Sequence, residues 1–575
     1  MRGIYGKIHY YGRIKFMFWI RFFLPLLMAS FLFSSERDIS KYQVLYLIQA
    51  GEVEKGIHLY QGWAAKAGKH DFSLLEQMGH LLLSLGAHSQ DEEALLLSMY
   101  GLGTANSLEG MKLYALGMES RNPMTQMATI HFLTPLQDDA VEGLLFKAFT
   151  SPYLAVQMEA AHALSMRRSN QVTGMLDALS QKLPPYLHVY FPELYAMIGT
   201  PDAIGFLKSL VAHPYLHVRL AAILAAAKHG RDDFLTDIRA AATHSDHAEQ
   251  ETCARALGYL KDAHSIPLLK TLASSQQPSV KLAAAYSLTY LGDHTFREPI
   301  IEAALRKDLL ALPMLADIPH TEPLLTSLLS DFQFQIRANA ALVLLKKRSS
   351  AALPTLLKMV IKDEKDWGFQ PVYSLGQSMM AWKAIPSSTH YGKKMKQDIP
   401  SMTLALREQI LQEAMELPEE DFLTLARAVF KAKQNELIPI LIHLLENLKS
   451  EKVISLLKEE SRRAGAPFIR AYCHLALYRM KMEGPHADFV YEWVKNQKHH
   501  ELFQFREMLS WTERQDSSSP FTLTPKETSR LLLEAYETLA ESHEMRGIDL
   551  LLSAIREGTE KNRYALAGLL LKAIQ

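Results

Sequence analysis

Cysteine is nearly missing from this chain, whose 575 residues include two, Cys253 and Cys473. A chain stapled by disulfides carries more of them, in pairs, so stability here has to come from packing. An excess of one charge sign is missing as well. Lys+Arg and Asp+Glu both number 62, so no overall field draws the chain to nucleic acid or to an anionic membrane. Runs of Val, Ile and Thr alternating with polar residues are scarce, which speaks against sheet. There is no phosphate-cradling Gly-rich loop, no paired CxxC, no HExxH and no GxSxG, so the commonest signatures of nucleotide, metal and acyl-transfer chemistry are absent.

What is present is an ordinary folding composition, 48% hydrophobic and 22% charged, too apolar for a disordered chain. Leu and Ala dominate many segments, and the balance tilts to helix.

Residues 1–35 stand apart. Lys7, Arg13, Lys15 and Arg21 precede an apolar run from Phe22 to Phe33, which ends in Ser34-Ser35-Glu36. A basic start, a short apolar run and a small-residue exit describe a secretory signal peptide. The run falls short of the roughly 20 residues a spanning helix needs. Cleavage after Ala29, Ser34 or Ser35 fits, and Met17 is an alternative start to Met1. The expected location is the periplasm, the envelope or the exterior. An uncleaved membrane anchor and a buried N-terminal helix are the competing readings.

The strongest feature is a period. Val218-Arg219-Leu220-Ala221-Ala222 is echoed by Val280-Lys281-Leu282-Ala283-Ala284 downstream and by Val156-Gln157-Met158-Glu159-Ala160 upstream. Halving and extending that interval gives seven starts, at 94, 125, 156, 187, 218, 249 and 280. A fixed spacing of this size marks a solenoid. The fifth motif residue is Ser98, Thr129, Ala160, Phe191, Ala222, Cys253 or Ala284, small in all but one. The ninth is Leu102, Leu133, Leu164, Tyr195, Ala226, Leu257 or Leu288. Positions four apart share a helical face, so small residues allow close helix approach while the larger ones fill the interior. Cys253 then reads as a core filler, and Cys473 takes the same place in Ile469-Arg470-Ala471-Tyr472-Cys473. Gly199, Gly230 and Gly292 stop their helices as left-handed caps. A second amphipathic stretch follows, as in Ile266-Pro267-Leu268-Leu269, and neither helix can bury its stripe alone.

The pattern Gln277-Pro278-Ser279-Val280-Lys281, then Ala283-Ala284-Ala285, Leu288 and Leu291-Gly292-Asp293, resembles the short HEAT repeats seen in phycobilisome-lyase-like proteins. His213-Pro214 with Val218-Arg219 matches it too. The resemblance covers roughly residues 94–362, with one irregular unit near Ala311 and a shifted one at Ile336-Arg337. It implies an all-α solenoid of stacked helical hairpins with a period of about 31 residues, and it implies little about function. Before it, residues 36–93 read as irregular helical hairpins, either tetratricopeptide-like or degenerate HEAT units. After it come an aromatic irregular insertion over 363–400, degenerate helical repeats over 401–515, and a linker with C-terminal capping helices over 516–575.

HEAT proteins such as the di-iron deoxyhypusine hydroxylases place His-Glu pairs in successive repeats. Here His500-Glu501 and His543-Glu544 both fall outside the regular ladder, so no metal ligand set carries over. His244-Ser245-Asp246-His247 and the pair His213 and His217 read as polar turn residues. No catalytic, cofactor-binding or metal-binding residue is assigned, and no cofactor is expected. The basic cluster Lys393-Lys394-Lys396 is read as a solvated loop, and no nucleic-acid partner is expected. Trp367, Phe369, Tyr373, Trp382 and Tyr391 crowd the insertion. Aromatic side chains on irregular segments are common interface anchors, and these five are the candidate partner-binding residues, against a role in sealing a bend. The expectation is an exported, non-enzymatic scaffold that binds other proteins, with the second helices as the docking face. A bilin-lyase-like or metal-dependent repeat enzyme and a membrane-anchored envelope component are the alternatives.

Overall fold

The computed structural model describes residues 36–361, 367–386, 398–463, 465–503, 523 and 525–575. The leader read in residues 1–35, the lysine cluster 393–396 and Tyr391 lie outside them. The described chain is an α-solenoid of HEAT-like helical hairpins.

The repeat begins with a helix of 13 residues in its regular copies: Leu154–Met166, Leu216–Lys228, His247–Tyr259, Pro278–Tyr290 and Phe334–Lys346. A tight turn follows, then a shorter second helix such as Leu235–Ala241, Ile266–Ala273 or Arg297–Leu305. The predicted inner positions are all buried, Ala160, Phe191, Ala222, Cys253 and Ala284 together with Leu164, Tyr195, Ala226, Leu257 and Leu288. Both cysteines are unpaired, and burial pushes both thiols up, with a nearby carboxylate adding to it.

The turn after each first helix has a fixed backbone. Arg168, Gly199, Gly230, Lys261 and Gly292 share one repeat position, and all five have positive φ, from 54° to 97°. Glycine adopts this conformation freely, while Arg168 and Lys261 adopt it at a cost of about 1 kcal/mol or more. Near Ala311 the period calls for another first helix, and the chain forms only the turn Pro313–Asp317. Pro313 and Pro319 bracket that turn, and a proline ring blocks continuation of a helix through it.

A recurrent side-chain lock ties five of the first helices to the turn before them. The second motif residue sends an N–H back to the carbonyl six positions earlier. Gln126 reaches Ser120 at 2.8 Å, Gln157 reaches Ser151 at 2.8 Å, Arg219 reaches His213 at 2.9 Å, Gln250 reaches His244 at 2.6 Å and Arg337 reaches Asp331 at 2.5 Å. These carbonyls end the preceding helix or turn, where intrahelical donors run out. The Arg or Gln of the repeat pattern is therefore structural.

The chain divides into two compact units. One gathers the described residues of Met1–Leu136, Tyr491–Met508 and Leu532–Gln575, and the other those of Gln137–Val490 and Leu509–Leu531. The boundary at Leu136 falls inside the regular array of 94–362. In the first unit the last helix, Asn562–Ile574, packs against Phe72–Ala87 and Glu92–Thr104 near the start of the chain. A Cβ on Gly568 would collide with the Gly101 carbonyl oxygen, so two glycines let these helices cross with their backbones nearly touching. The last of the C-terminal helices thus packs on hairpins near the start of the chain.

The segment 363–400 departs most from expectation. It contains a regular antiparallel hairpin, β1 (Trp367–Tyr373) and β2 (Met380–Pro386), paired from Trp367 opposite Pro386 to Tyr373 opposite Met380. Phe, Val, Tyr, Trp and Ile suit strands, but Pro371 and Gly376 obscured the alternation. A helix, Asp398–Ala414, follows.

Candidate protein-binding face

The hairpin and the helices beneath it, all in the second unit, form the most elaborate polar site of the described structure. Asn339, on the helix Phe334–Lys346, turns its side-chain amide to the edge of β2. Its Nδ2 donates to the Trp382 carbonyl at 2.6 Å, and its Oδ1 accepts from the Trp382 N–H at 2.9 Å. Trp382 therefore has no backbone group left for its cross-strand partner, Pro371. That pair is a non-hydrogen-bonded one, where a residue lacking an N–H costs the ladder nothing. The opposite edge is covered too, as the Phe369 N–H donates to Thr403 Oγ1 at 2.8 Å.

The tip docks on the helix His247–Tyr259. Glu251, fully buried, accepts the Gly376 N–H at 3.1 Å, the Ser378 hydroxyl at 2.6 Å and the Ser374 hydroxyl. Thr252 donates its hydroxyl to the Gly376 carbonyl at 2.7 Å. A Cβ on Gly376 would lie 2.5 Å from both the Ala248 carbonyl oxygen and Thr252 Oγ1, so only glycine fits there. Thr252 and Asn339 are both the fourth residue of their motif, and Ala283, also buried, holds that place between them. The groups that hold the hairpin tip and the edge of β2 thus come from first helices of the repeats.

The five aromatic candidates separate. Phe369 is fully buried, its ring 6.0 Å from that of Phe334, so it packs the core and offers a partner nothing. Trp382 is half-buried. Tyr373 is 57% exposed, beside the exposed Leu375 and Met380. Trp367 opens β1, and Tyr391 falls outside the described residues. The structure brings Trp367, Phe369, Tyr373 and Trp382 onto one hairpin.

Sequence reasoning missed Glu251, Thr252 and Asn339, although the period contained a clue. The third motif residue is Leu96, Met127, Met158, Val189, Leu220 or Leu282, and only the repeat at 249 puts a carboxylate there, Glu251. The same repeat places Glu249 in a first position otherwise filled by Ala94, Thr125, Val156, Leu187, Val218 and Val280. Glu249 is buried and bridges repeats, taking Arg219 Nε at 2.8 Å and His244 at 3.1 Å.

Beyond the hairpin the fourth-position column continues without cover. Ala221 is half-buried, Tyr190 is 61% exposed, and Glu159 is exposed. Arg255 lies buried over the rings of Tyr259 and Tyr286, at 4.6 and 4.1 Å from their centroids, and donates to the Tyr259 hydroxyl at 2.8 Å. Tyr259 and Tyr290, one repeat apart, are both exposed.

The histidine clusters have local partners. Asp246 caps the helix His247–Tyr259 through the Glu249 N–H, and His247 Nδ1 is 3.2 Å from Gln250. His213 Nε2 is 3.2 Å from His188 Nδ1. His543 Nδ1 bonds the Ala573 carbonyl at 3.1 Å. Among the described residues, Glu76, His80 and Glu109 in the first unit are close enough to share a metal ion, though both carboxylates are exposed. No helix among the described residues is long and apolar enough to cross a membrane.

No family model matches the chain, and no curated protein sequence does. Among solved structures, the chain is similar to Kap121p bound to Ste12p, with a TM-score of 0.36 and 12% identity over 87% of this chain and 60% of that one. Kap121p alone gives 0.31 and 11% over 92% and 78%. A Kap95p structure concerned with RanGDP gives 0.31 and 12% over 93% and 77%. The chain spans 60% of the length of the first of these. Scores this low add nothing to what the repeating helix pairs themselves show.

Proposed function

We propose that this chain is a non-enzymatic helical-repeat scaffold that binds polypeptide segments of other proteins along the first-helix face of its second unit, and that it works outside the cytoplasm. The supporting observation is the fourth-position column. Where Thr252 and Asn339 occupy it, the face holds a polypeptide by its main chain. Where Ala221, Tyr190 and Glu159 occupy it, the same face is open and carries an exposed aromatic ring. Stacked repeats of this kind present extended surfaces, and a partly exposed tyrosine provides large contact area at little entropic cost.

A photo-crosslinking amino acid at Tyr190 should trap a partner in the native host, while the same group at the exposed Tyr46 of the first unit should not. Equal trapping at both would remove the assignment of the face. The leader supports export. N-terminal sequencing of the mature protein should find a start between Ser30 and Glu36 in a non-cytoplasmic fraction. An intact leader on a cytoplasmic protein would rule that out.

A further inference from the structure

We propose that the hairpin Trp367–Pro386 is a detachable strap, which covers a polypeptide-binding site on the array and can leave it as a unit while the helices beneath stay folded. This rests on the reading above, because the covered site is the continuation of the open face.

The covered site is built to take main chain. Asn339 reads both backbone groups of Trp382, Thr252 gives its hydroxyl to the Gly376 carbonyl, and Glu251 accepts the Gly376 N–H. None of these contacts depends on the identity of a side chain in the occupant, apart from the glycine that lets the turn approach. Because the Ser374 and Ser378 hydroxyls also donate to Glu251, the site suits a tight turn whose glycine is flanked by hydroxyl side chains.

The anchor at the tip is polar and self-contained. Every hydrogen bond that the Glu251 carboxylate accepts from the described residues comes from the tip, and no cation among them lies within ion-pair distance. A buried carboxylate without a cation is tolerated only while donors surround it. When the tip leaves, water takes over all three bonds, so docking exchanges one satisfied state for another and its net gain is small. Arg255, one helical turn along, has a buried Nε with no hydrogen-bond partner and is placed to turn toward Glu251 once the tip is gone.

Apolar burial of the hairpin rests on a few side chains. Phe369, Met379, Ala381 and Ala384 are covered, whereas Tyr373, Leu375 and Met380 are exposed. A segment with so few buried apolar side chains and with exchangeable polar contacts opens before the helices that carry it.

The decisive variant is Gly376→Val, whose side chain would collide with the Ala248 carbonyl and with Thr252. Amide hydrogen exchange across residues 374–384 should then accelerate at least about tenfold. Amides of the helices His247–Tyr259 and Phe334–Lys346 should keep their rates. A synthetic peptide of the native sequence 367–386 should bind the variant and leave the wild type unbound, because only the variant's site is open. Acceleration of the helices along with the hairpin would overturn the proposal, as would failure of the peptide to bind the variant or equal binding to both proteins.

Wild-type native-state exchange is independent of how well the variant folds. Hairpin amides should open with a weaker denaturant dependence than the helix amides, and identical dependence would equally overturn the strap. None of these readouts needs a partner, and crosslinking at Tyr190 does not need the hairpin to move, so either reading can fail alone.

Discussion

Arg219 and Gln157 hold the same motif position two repeats apart, yet their loss should cost different amounts. Gln157 donates to the carbonyls of Ser151 at 2.8 Å and Phe149 at 3.3 Å, both neutral bonds. Gln157→Leu should therefore cost about 1 kcal/mol. Arg219 makes the same bond backward and also pairs with the buried Glu249 of the next repeat through Nε at 2.8 Å and Nη2 at 3.3 Å. Arg219→Leu leaves that carboxylate buried with only His244 beside it, and should cost about 3 kcal/mol. Urea denaturation of the two variants checks the ratio, and equal midpoints would mean the inter-repeat pair contributes nothing. Lys261 offers the opposite sign. It is exposed and held at φ 56°, at a repeat position where Gly199, Gly230 and Gly292 also stand. Lys261→Gly should relieve the left-handed strain and stabilise by up to about 1 kcal/mol, read as a higher melting temperature.

At the scale of the element, the hairpin shows how two strands persist in a helical protein. An isolated two-stranded ribbon is marginal in water, and this one has both edges covered by side chains of helices, Asn339 on one side and Thr403 on the other. Trp382 and Tyr373 separate the structural from the accessible aromatics. Trp382 shares a face with Pro371 and is half-buried. Trp382→Ala should cost the hairpin about 2 kcal/mol of local stability, seen as faster exchange of its own amides with little change in the main melting transition. Tyr373→Ala should leave exchange and melting unchanged while reducing crosslinking to the partner. A stability loss at Tyr373 matching that at Trp382 would show that both rings are seals.

At the scale of the whole molecule, acid weakens the folded chain through a buried histidine pair. His474 and His486 face each other in the second unit with their Nδ1 atoms 3.0 Å apart, both buried. Burial, then the neighbouring His486 and Arg470, bring the His474 imidazole down to about 4. Burial, Lys458 and Arg462 lower that of His486. Folded, the pair stays neutral where the unfolded chain already binds protons. Its contribution is thus complete above the ordinary histidine value of about 6.5 and is lost as pH falls toward about 4. The loss should be on the order of 2 kcal/mol at His474, and His474→Phe should flatten the fall in melting temperature between pH 6.5 and 4. In the first unit the crossing of Gly101 and Gly568 joins hairpins from opposite ends of the chain. Gly568→Val should push those helices apart at a cost of several kcal/mol, and should speed exchange in Glu92–Thr104, far upstream in sequence.

The helical class, the repeat and its register were determined by local chemistry. Small fifth residues, large ninth residues and glycine stops recur at one spacing, and each acts within its own hairpin or on the next one. The burial of Ala160, Ala222, Cys253 and Ala284 follows from that pattern alone. The hairpin and its site could not be derived in the same way. Glu251 and Ser374 are 123 residues apart, and Asn339 looks like any polar residue on a helix until Trp382 is placed against it. Glu251 stood out as a carboxylate in a column of apolar residues, but the column does not say which donors come to meet it. Pairings between distant segments are set by how the repeats stack and where the chain returns to them, and only the tertiary structure decides that.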